Sequence, residues 1–559
     1  MTEPPPRRPP AAASGLGPPS VASAALLLLT LAGGWAALQA TGGRPVLPLD
    51  DPYIHVAMAR TLADHGTWGI QPGQFASASS SPLWVLLLSV AGALTSWGAM
   101  LPLALNAIGV VFLIAILNRF LQPVVPEPGG RAVALGAIGV LAAVPAVAFS
   151  GTEHVLHAAA FFALLRGALS ALAGGPARRP HPLWLALLAS VAVGLRFETL
   201  FAGLPLLTLA LTGRAWRAAA ALAIGSAAPV AVHAGLAIPR GGSWLPNPLL
   251  IKGTPPDLSS WTAVVSTLAR VPRALARPEA WHVTALLLAL ALLALRLRSD
   301  ASRGEGSARP HRRLCAVVAV TLLLHVQLAA LGSFYRYELY LLVAGLAAAV
   351  SRLPALAAPA RGGWRRTVQG IAAGALVALA ALLALRAGDS LRNMPTASRN
   401  IWEQQIQMAD FVRARRSAGA VAVNDVGAVA LLGGKRVVDI LGLADDEVAR
   451  TLQCDRPGPA VLADLLRARE ADLLIAYEEW LGRWGGPPAG WWAVESWEIR
   501  GNVVGAGPVV TFFAPDERSA TELREELEAF APRLPRAVSR VPARNDGRPL
   551  RDRPSDEAY

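Results

Sequence analysis

The sequence predicts a polytopic α-helical membrane protein that ends in a small α/β domain. Of its 559 residues 53% are hydrophobic, and the mean hydropathy of +0.42 is too high for a soluble globular protein. Long apolar runs follow one another from residue 21 to residue 386. Beyond residue 386 the apolar runs shorten, and turns and charges separate them, as in a soluble domain.

The charge and cysteine content exclude some functional classes. The net charge of +13 is carried mostly by arginine, and in a membrane protein such charge sorts to cytoplasmic loops. No nucleic-acid motif or stacking platform accompanies it, so nucleic acid is not an expected partner. Cys315 and Cys454 fall on opposite sides of the predicted membrane, so we expect neither a disulfide nor a cysteine metal site.

The start of the chain predicts a tail and a first helix. Residues 1–20 are rich in Pro and Ala and are predicted to be a disordered cytoplasmic tail. Residues 21–40 are about long enough to span a bilayer and are interpreted as a retained helix, with a cleaved signal peptide as the alternative. Arg7 and Arg8 precede this helix, which places its far end outside.

Two adjacent carboxylates, Asp50 and Asp51, come soon after this first apolar run and are the main candidate for a functional site. Ionisable groups at the rim of a membrane are costly and tend to mark function. Helix capping is the alternative, because Pro52 follows at a plausible first helical position. The pair lies in a predicted external loop, 41–100, in which residues 52–65 have the spacing of an amphipathic helix.

Arginine placement decides the predicted number of spans. If residues 83–97 lie at the membrane surface or re-enter, every strongly basic loop falls inside; counting them as a full span inverts this pattern. The rule therefore favours about eleven transmembrane helices within 21–388 and an external C terminus. Besides 21–40, the predicted spans are 101–120, 131–149, 154–173, 182–195, 199–213, 217–238, 280–297, 314–331, 337–352 and 366–386.

One predicted external stretch, 239–279, departs from this rule because it is basic. It is interpreted either as an interfacial helix on anionic headgroups or as a site for a phosphate-bearing lipid. Its cations are Arg240, Lys252, Arg270, Arg273 and Arg277.

Residues 389–536 are predicted to form an extracytoplasmic α/β domain, because strand patterns alternate with helix patterns. Residues 537–559 are rich in Arg, Pro and Asp and are predicted to be a disordered tail. The predicted helices are 401–415 and 462–471, and the predicted strands are 420–424, 436–440, 472–477, 491–499 and 509–513.

Polar residues from five separate parts of the sequence converge on the predicted external membrane face. An Arg or Lys there can offset charge on a phosphate leaving group, and an Asp can take a proton from an attacking hydroxyl. Simpler alternatives exist: Arg196 and Glu198 could pair with each other, and Tyr335 and Tyr337 could be interfacial anchors. The set comprises Asp50, Asp51, His55, Glu153, His154, Arg196, Glu198, Asn247, Lys252, Tyr335, Arg336, Tyr337 and Glu338.

Short strings occur in a fixed order between residues 45 and 450. They are DDPYI at 50–54, SPLW at 81–84, GTE at 151–153, RFE at 196–198, LPNP at 245–248 with Lys252, YRY at 335–337, NDVG at 424–427 and VDILGL at 438–443. This ordered set resembles membrane glycosyltransferases of the GT-C superfamily. It is most similar to the branch containing the mycobacterial terminal β-(1→2) arabinofuranosyltransferase, although Phe197 replaces the usual Pro of an "RPE" element.

The resemblance implies transfer of a sugar, with inversion at its anomeric carbon, from a polyprenyl-phosphate donor to a glycan, lipid or protein of the bacterial cell envelope. Arabinofuranose is the candidate sugar. It implies a multi-pass protein of the bacterial inner membrane. By the same resemblance Asp50 or Asp51 is the general base, and the other orients the acceptor or a divalent cation. Lys252, Arg336 and Arg196 would hold the donor phosphate. Seven further residues of the external set are predicted to bind acceptor or substrate: His55, Glu153, His154, Glu198, Asn247, Tyr335 and Tyr337.

Two questions about the Asp pair stay open at this point. Adjacent carboxylates repel, so either a divalent cation (Mg²⁺, Mn²⁺ or Ca²⁺) bridges Asp50 and Asp51 or a basic side chain supplies the charge. The sequence favours Asp50 as the base, because Asp51, directly before Pro52, is the better capping residue. A transporter or flippase and a non-catalytic scaffold are the alternative functions, but no inverted repeat supports transport.

The predicted topology is testable with a reporter that is active only in the cytoplasm. Fused after Tyr559, it should be silent, because the arginine asymmetry places the C terminus outside. The same reporter fused after Arg214 should be active. Activity at Tyr559 would contradict both the topology and the placement of the polar residues.

Overall fold

The structure of the protein is a computed structural model. It describes residues 17–95, 98–173, 180–254, 256–257, 259–301, 308–353, 356, 363–454 and 457–542. Most of the predicted N-terminal tail, Arg178 and Arg179 of one predicted basic loop, and the chain from 543 onward lie outside the described residues. The predicted fold class, a polytopic helical protein with a C-terminal α/β domain, is confirmed.

Apolar helices make up the first two thirds of the chain. Their bounds are α1 Pro18–Ala40, α2 Asp51–His65, α3 Pro82–Leu94, α4 Leu101–Leu121, α5 Pro128–Leu141, α6 Val144–Phe149, α7 His154–Leu172, α8 Pro182–Leu195, α9 Leu200–Thr212, α10 Trp216–Ala237, α11 Asn247–Lys252, α12 Trp261–Ala276, α13 Trp281–Ala301, α14 Ala308–Leu328, α15 Leu339–Val350 and α16 Gly363–Ile401.

Seven described helices are long and apolar enough to cross a membrane, which supports a multi-pass membrane protein. The other four predicted spans, 131–149, 182–195, 199–213 and 337–352, coincide with shorter apolar helices. Ala143, in a left-handed conformation with φ 61°, divides the first of these into α5 and α6. The count of eleven spans therefore stays a prediction.

The long helix α16 joins the apolar part of the chain to the C-terminal domain. It runs unbroken through residue 388, where the sequence placed a domain boundary. A π-helical turn, Trp402–Ile406, and α17, Gln407–Ala414, continue it. It lies so close to α1 that a Cβ atom on Gly33 would be 2.3 Å from Met394. This contact holds the start of the C-terminal domain beside the first helix.

The C-terminal domain contains a six-stranded mixed sheet in the order β2-β1-β3-β5-β4-β6. The strands β1, β2 and β3 are parallel, and β5, β4 and β6 add antiparallel neighbours. The last strand lies inside the predicted disordered tail, so that prediction is wrong for residues 539–542. The strands are β1 Ala420–Val423, β2 Val437–Asp439, β3 Ala471–Tyr477, β4 Trp492–Glu498, β5 Val509–Ala514 and β6 Ser539–Pro542.

Helices connect or flank these strands, and several were not predicted. Short polar or Gly-flanked segments such as α18 carry too little periodicity for sequence reasoning to find them. Their bounds are α18 Gly427–Leu432, α19 Asp446–Cys454, α20 Pro459–Ala468, α21 Glu478–Leu481 and α22 Glu517–Phe530.

The C-terminal domain shares a hydrophobic core with the segment that follows α1. Met58 and Trp84, from α2 and α3, are fully buried in one cluster with Val429 and Phe411 of the domain. The side-chain amide of Gln71 also pairs with the backbone of Val437, at 2.7 and 2.8 Å. Burial of apolar side chains is the main force that holds α2 and α3 against the C-terminal domain. It brings the β1–α18 turn onto the start of α2, beside the Asp pair.

Candidate functional site

The two adjacent carboxylates point to different partners. Both side-chain oxygens of Asp50 accept hydrogen bonds from the C-terminal domain, from the backbone N–H of Gly427 at 2.7 Å and of Ala428 at 2.8 Å. Asp50 is the N-cap residue of α2 by position, but its side chain makes no capping bond there. It instead binds the first amides of α18, 377 residues away.

Gly427 is the residue that allows this contact. A Cβ atom at this position would lie 2.3 Å from the backbone oxygen of Asp50 and 2.8 Å from each of its carboxylate oxygens. Only glycine leaves the backbone N–H groups accessible at this distance. The contact is called the Asp50 clamp below and consists of Asp50, Gly427 and Ala428.

Asp51 faces two cations. Its Oδ2 accepts a hydrogen bond from Arg336 Nη2 at 2.5 Å, and its Oδ1 lies 3.8 Å from Lys252 Nζ. The Asp51 side chain is 29% exposed and that of Lys252 34%, whereas Arg336 is buried. Asp51, Lys252 and Arg336 are called the Asp51 triad below, and Asp51 and Lys252 are open to a substrate.

Asp50 and Asp51 differ in pKa because their surroundings differ. Burial and the neighbouring Asp425 raise the pKa of Asp50 to about 8, although the amides of Ala428 and Gly427 oppose the rise. Burial also opposes ionisation of Asp51, but Lys252 and Arg336 outweigh it and hold the pKa of Asp51 well below its usual range. Asp51 is therefore the stronger acid of the pair.

The Asp51 triad has a surplus of positive charge and of donors. Two cations share one carboxylate, so the triad itself carries one net positive charge. Arg336 Nε is buried and has no hydrogen-bond partner among the described residues. A buried guanidinium donor without a partner is costly, and an anion in the opening beside Asp51 would satisfy it.

Glu153, Arg196 and Glu198 form a second, closed group. Arg196 donates to Glu153 at 2.6 Å and also pairs with Glu198. The hydroxyl of Ser81 donates to Glu153 at 2.8 Å, and His55 Nδ1 lies 3.7 Å from that carboxylate. All are buried, and Arg196 has two carboxylates of its own. The predicted phosphate role of Arg196 is therefore not supported by its surroundings.

Tyr337 connects the two groups. The guanidinium of Arg336 lies over its ring at 5.1 Å from the centroid, and that of Arg196 lies at 5.6 Å. The ring of His154 stacks on Tyr337 at 6.0 Å, and His154 Nδ1 is 2.9 Å from the hydroxyl of Thr152. Guanidinium groups bind aromatic faces well, so Tyr337 keeps both arginines in position.

Two predicted residues lie apart from the Asp51 triad. The hydroxyl of Tyr335 accepts from Asn393 at 2.7 Å, and Arg386 lies over its ring, so Tyr335 turns toward α16. The backbone N–H of Asn247 donates to the backbone oxygen of Ser77 at 3.0 Å, and the Asn247 side chain is buried.

Some residues of the site were missed from the sequence. Asp425 accepts from Gln405 at 2.8 Å, and burial raises its pKa, with Asp51 close enough to add to the rise. The sequence had singled out Asp425 only as part of the NDVG string at 424–427. Gly427 and Ser81 lie in strings that the resemblance had singled out, but only the fold shows their partners.

The geometry bears on two predictions about the Asp pair. Asp50 was favoured as the base, but amides occupy both of its oxygens, so we do not retain that assignment. The described residues contain no group of three or more His, Cys, Asp or Glu side chains placed to hold a metal ion. Carboxylate oxygens suit a divalent cation. A cation at Asp50 and Asp51 stays a prediction.

Comparisons with known proteins give limited similarity. A family described as "Domain of unknown function (DUF8728)" matches residues 399–513, within the C-terminal domain. No curated protein matches the sequence. Among solved structures the chain is similar to the crystal structure of ArnT from Cupriavidus metallidurans in the apo state, with 14% identity and a TM-score of 0.44. That alignment covers 89% of this chain and 99% of the other.

The Asp50 clamp can be tested through its glycine. Gly427→Ala places a methyl group against Asp50, so we expect destabilisation of about 1–3 kcal/mol and easier proteolysis at the junction of the C-terminal domain. Thermal unfolding and limited proteolysis measure both effects.

Gly458→Ala is the matched control for this test. Gly458 lies in the same domain and has nothing within 4 Å of a Cβ atom. Equal stability of the two variants would show that the clamp is not a tight contact.

Proposed function

We propose that the protein is a membrane glycosyltransferase of the GT-C type that uses a polyprenyl-phosphate-linked sugar. The observation that carries this proposal is the Asp51 triad, in which a partly exposed carboxylate lies between Lys252 and Arg336. It combines a proton acceptor and a surplus of positive charge in one opening. The seven apolar helices are consistent with a lipid-linked donor.

Lys252 and Arg336 are proposed to hold the donor phosphate. Arg336 offers an unpaired Nε donor, and its planar guanidinium suits two phosphate oxygens at once. Lys252 adds a positive charge on a flexible side chain. Both would stabilise the negative charge that grows on the phosphate as its bond to the anomeric carbon breaks. Tyr337, beneath the guanidinium of Arg336, keeps this group in position.

Asp51 is proposed to be the general base. The acceptor hydroxyl would attack the anomeric carbon, lose its proton to Asp51, and displace polyprenyl phosphate with inversion. When the donor phosphate binds, Lys252 and Arg336 no longer neutralise Asp51 alone, so the pKa of Asp51 rises toward its ordinary range. The carboxylate would therefore become a competent base only with a donor in place.

The finer parts of the proposal concern sugar, acceptor and orientation. The transferred sugar would be arabinofuranose, and the acceptor a glycan, lipid or protein of the cell envelope. The protein would lie in the bacterial inner membrane with its C-terminal domain extracytoplasmic. The sequence resemblance supports these points, and the basic loops support the orientation.

The direct test uses purified protein in nanodiscs with polyprenyl-phosphate arabinofuranose and cell-envelope acceptors. Transfer with inverted anomeric configuration and release of polyprenyl phosphate would support the proposal. Other polyprenyl-phosphate sugars test the donor specificity in the same assay. Lack of transfer from every donor, by protein that binds none of them, would contradict it.

Donor binding should depend on the two cations. Lys252→Ala and Arg336→Ala should each weaken binding of a polyprenyl-phosphate sugar by about 2–5 kcal/mol, because a buried phosphate loses a charged partner. Tryptophan fluorescence or calorimetry measures the affinity.

Matched controls for these variants are available in the chain. Lys435→Ala removes a lysine that binds the backbone of Ser417, and Arg392→Ala removes an arginine whose side chain is 83% exposed. Both should bind donor normally. Unchanged affinity in Lys252→Ala and Arg336→Ala would place the phosphate elsewhere.

Amide substitutions separate the roles of the Asp pair. Asp51→Asn should fold, bind donor and lose about 10²–10⁴ in transfer rate, since an amide cannot take the proton. Asp50→Asn places an NH₂ group against a backbone N–H, so we expect lower thermal stability and a smaller loss of rate. Near-normal turnover of Asp51→Asn would rule out this base and leave His55 or Glu153.

A further inference from the structure

A cleft separate from the Asp51 triad opens on the C-terminal domain. It has a volume of about 370 Å³ and lies between the loop after α1, the segment from Trp402 to α17, and the C-terminal end of α22. None of its lining residues belongs to the Asp51 triad, the Asp50 clamp or the Glu153–Arg196 group.

The cleft is basic. Arg44, Arg413 and Arg533 line it together with one acidic residue, Asp410, so two positive charges are in excess. Arg413 pairs with Asp410 at 2.5 Å. Arg44 and Arg533 instead lie over aromatic rings, and no described carboxylate pairs with either. These two guanidinium groups therefore have hydrogen-bond donors available for an anion.

A buried amide provides a second, independent observation. Gln407 lines the cleft, is 2% exposed, and its Nε2 has no hydrogen-bond partner among the described residues. A buried donor left unpaired costs about 1–3 kcal/mol. An oxygen of a bound molecule would remove that cost.

The size and chemistry of the cleft indicate the class of ligand. Small-molecule sites have volumes of roughly 300–1,000 Å³, whereas a single ion needs far less space. The guanidinium of Arg44 lies 4.2 Å from the centroid of the Trp402 ring and forms a wall of donors beside an aromatic surface. A sugar ring with an acidic group would use the ring, the amide and the guanidinium groups together.

We propose that this cleft binds an acidic saccharide, one that carries a carboxylate or a phosphate, as part of the acceptor. The acceptor assignment rests on the proposed transferase function; binding of the acid does not. The cleft holds the saccharide on the C-terminal domain, away from the Asp51 triad, so it selects which glycan is presented for transfer.

The test measures saccharide binding to the full-length protein in phosphatidylcholine nanodiscs, without donor, by saturation-transfer NMR. The probes are glucuronate, glucose 6-phosphate and glucose. We expect both acids to bind and glucose to bind at least tenfold more weakly. Arg44→Ala and Arg533→Ala should each weaken binding of the acids at least tenfold, and Gln407→Leu should weaken it several-fold.

Arg518→Ala is the matched control, because Arg518 lies on α22, is 90% exposed and pairs with Glu522 outside the cleft. It should bind the acids normally. Equal binding of glucose, or acid binding that survives both Arg44→Ala and Arg533→Ala, would overturn the proposal. Absence of acid binding, together with tighter association with phosphatidylglycerol vesicles that depends on Arg44 and Arg533, would also overturn it and identify a lipid site.

Asp51→Asn separates this proposal from the transferase proposal. That variant should bind the acids as the unmodified protein does, because the cleft contains no residue of the Asp51 triad. Normal acid binding by a protein that transfers no sugar would leave the cleft assignment intact and remove only its acceptor role. Loss of acid binding in Asp51→Asn would contradict a separate cleft.

Discussion

The architecture of the site depends on keeping two neighbouring carboxylates apart. Asp50 and Asp51 repel each other, and each needs its own donors in a partly dry environment. Backbone amides at the start of α18 serve Asp50, and Lys252 with Arg336 serve Asp51. One carboxylate thereby connects the C-terminal domain to the site, while the other stays accessible to a substrate.

The charged residues around the pair are likewise divided into a closed group and an open group. Arg196 lies between Glu153 and Glu198, so this buried group is closed and positions its neighbours. Lys252 and Arg336 have only Asp51 between them and leave donors and charge for an anion. A closed buried ion-pair network is often purely structural, whereas cations with unused donors beside an opening form an arrangement that an anion would complete. Tyr337 lies between the two groups and couples their geometry.

Much of the fold and part of the site could be predicted from the sequence. Apolar runs of spanning length and alternating strand patterns are local properties, so the order of helices and most strands followed from them. The strands at 420–424 and 472–477 are examples. The β6 strand and α18 were missed because short segments depend on their neighbours for stability. The predicted boundary at residue 388 falls inside α16, because this helix continues beyond its apolar part.

Residue types and their spacing in the sequence determined which groups could do chemistry: an Asp pair at the end of the first apolar run, and Lys252 and Arg336 in later loops. Only the tertiary structure decided which carboxylate is engaged and which is accessible. Asp50 binds Gly427 across 377 residues, and Arg336 reaches Asp51 across 285. Contacts at such separations come from packing of the shared core, which no local pattern encodes.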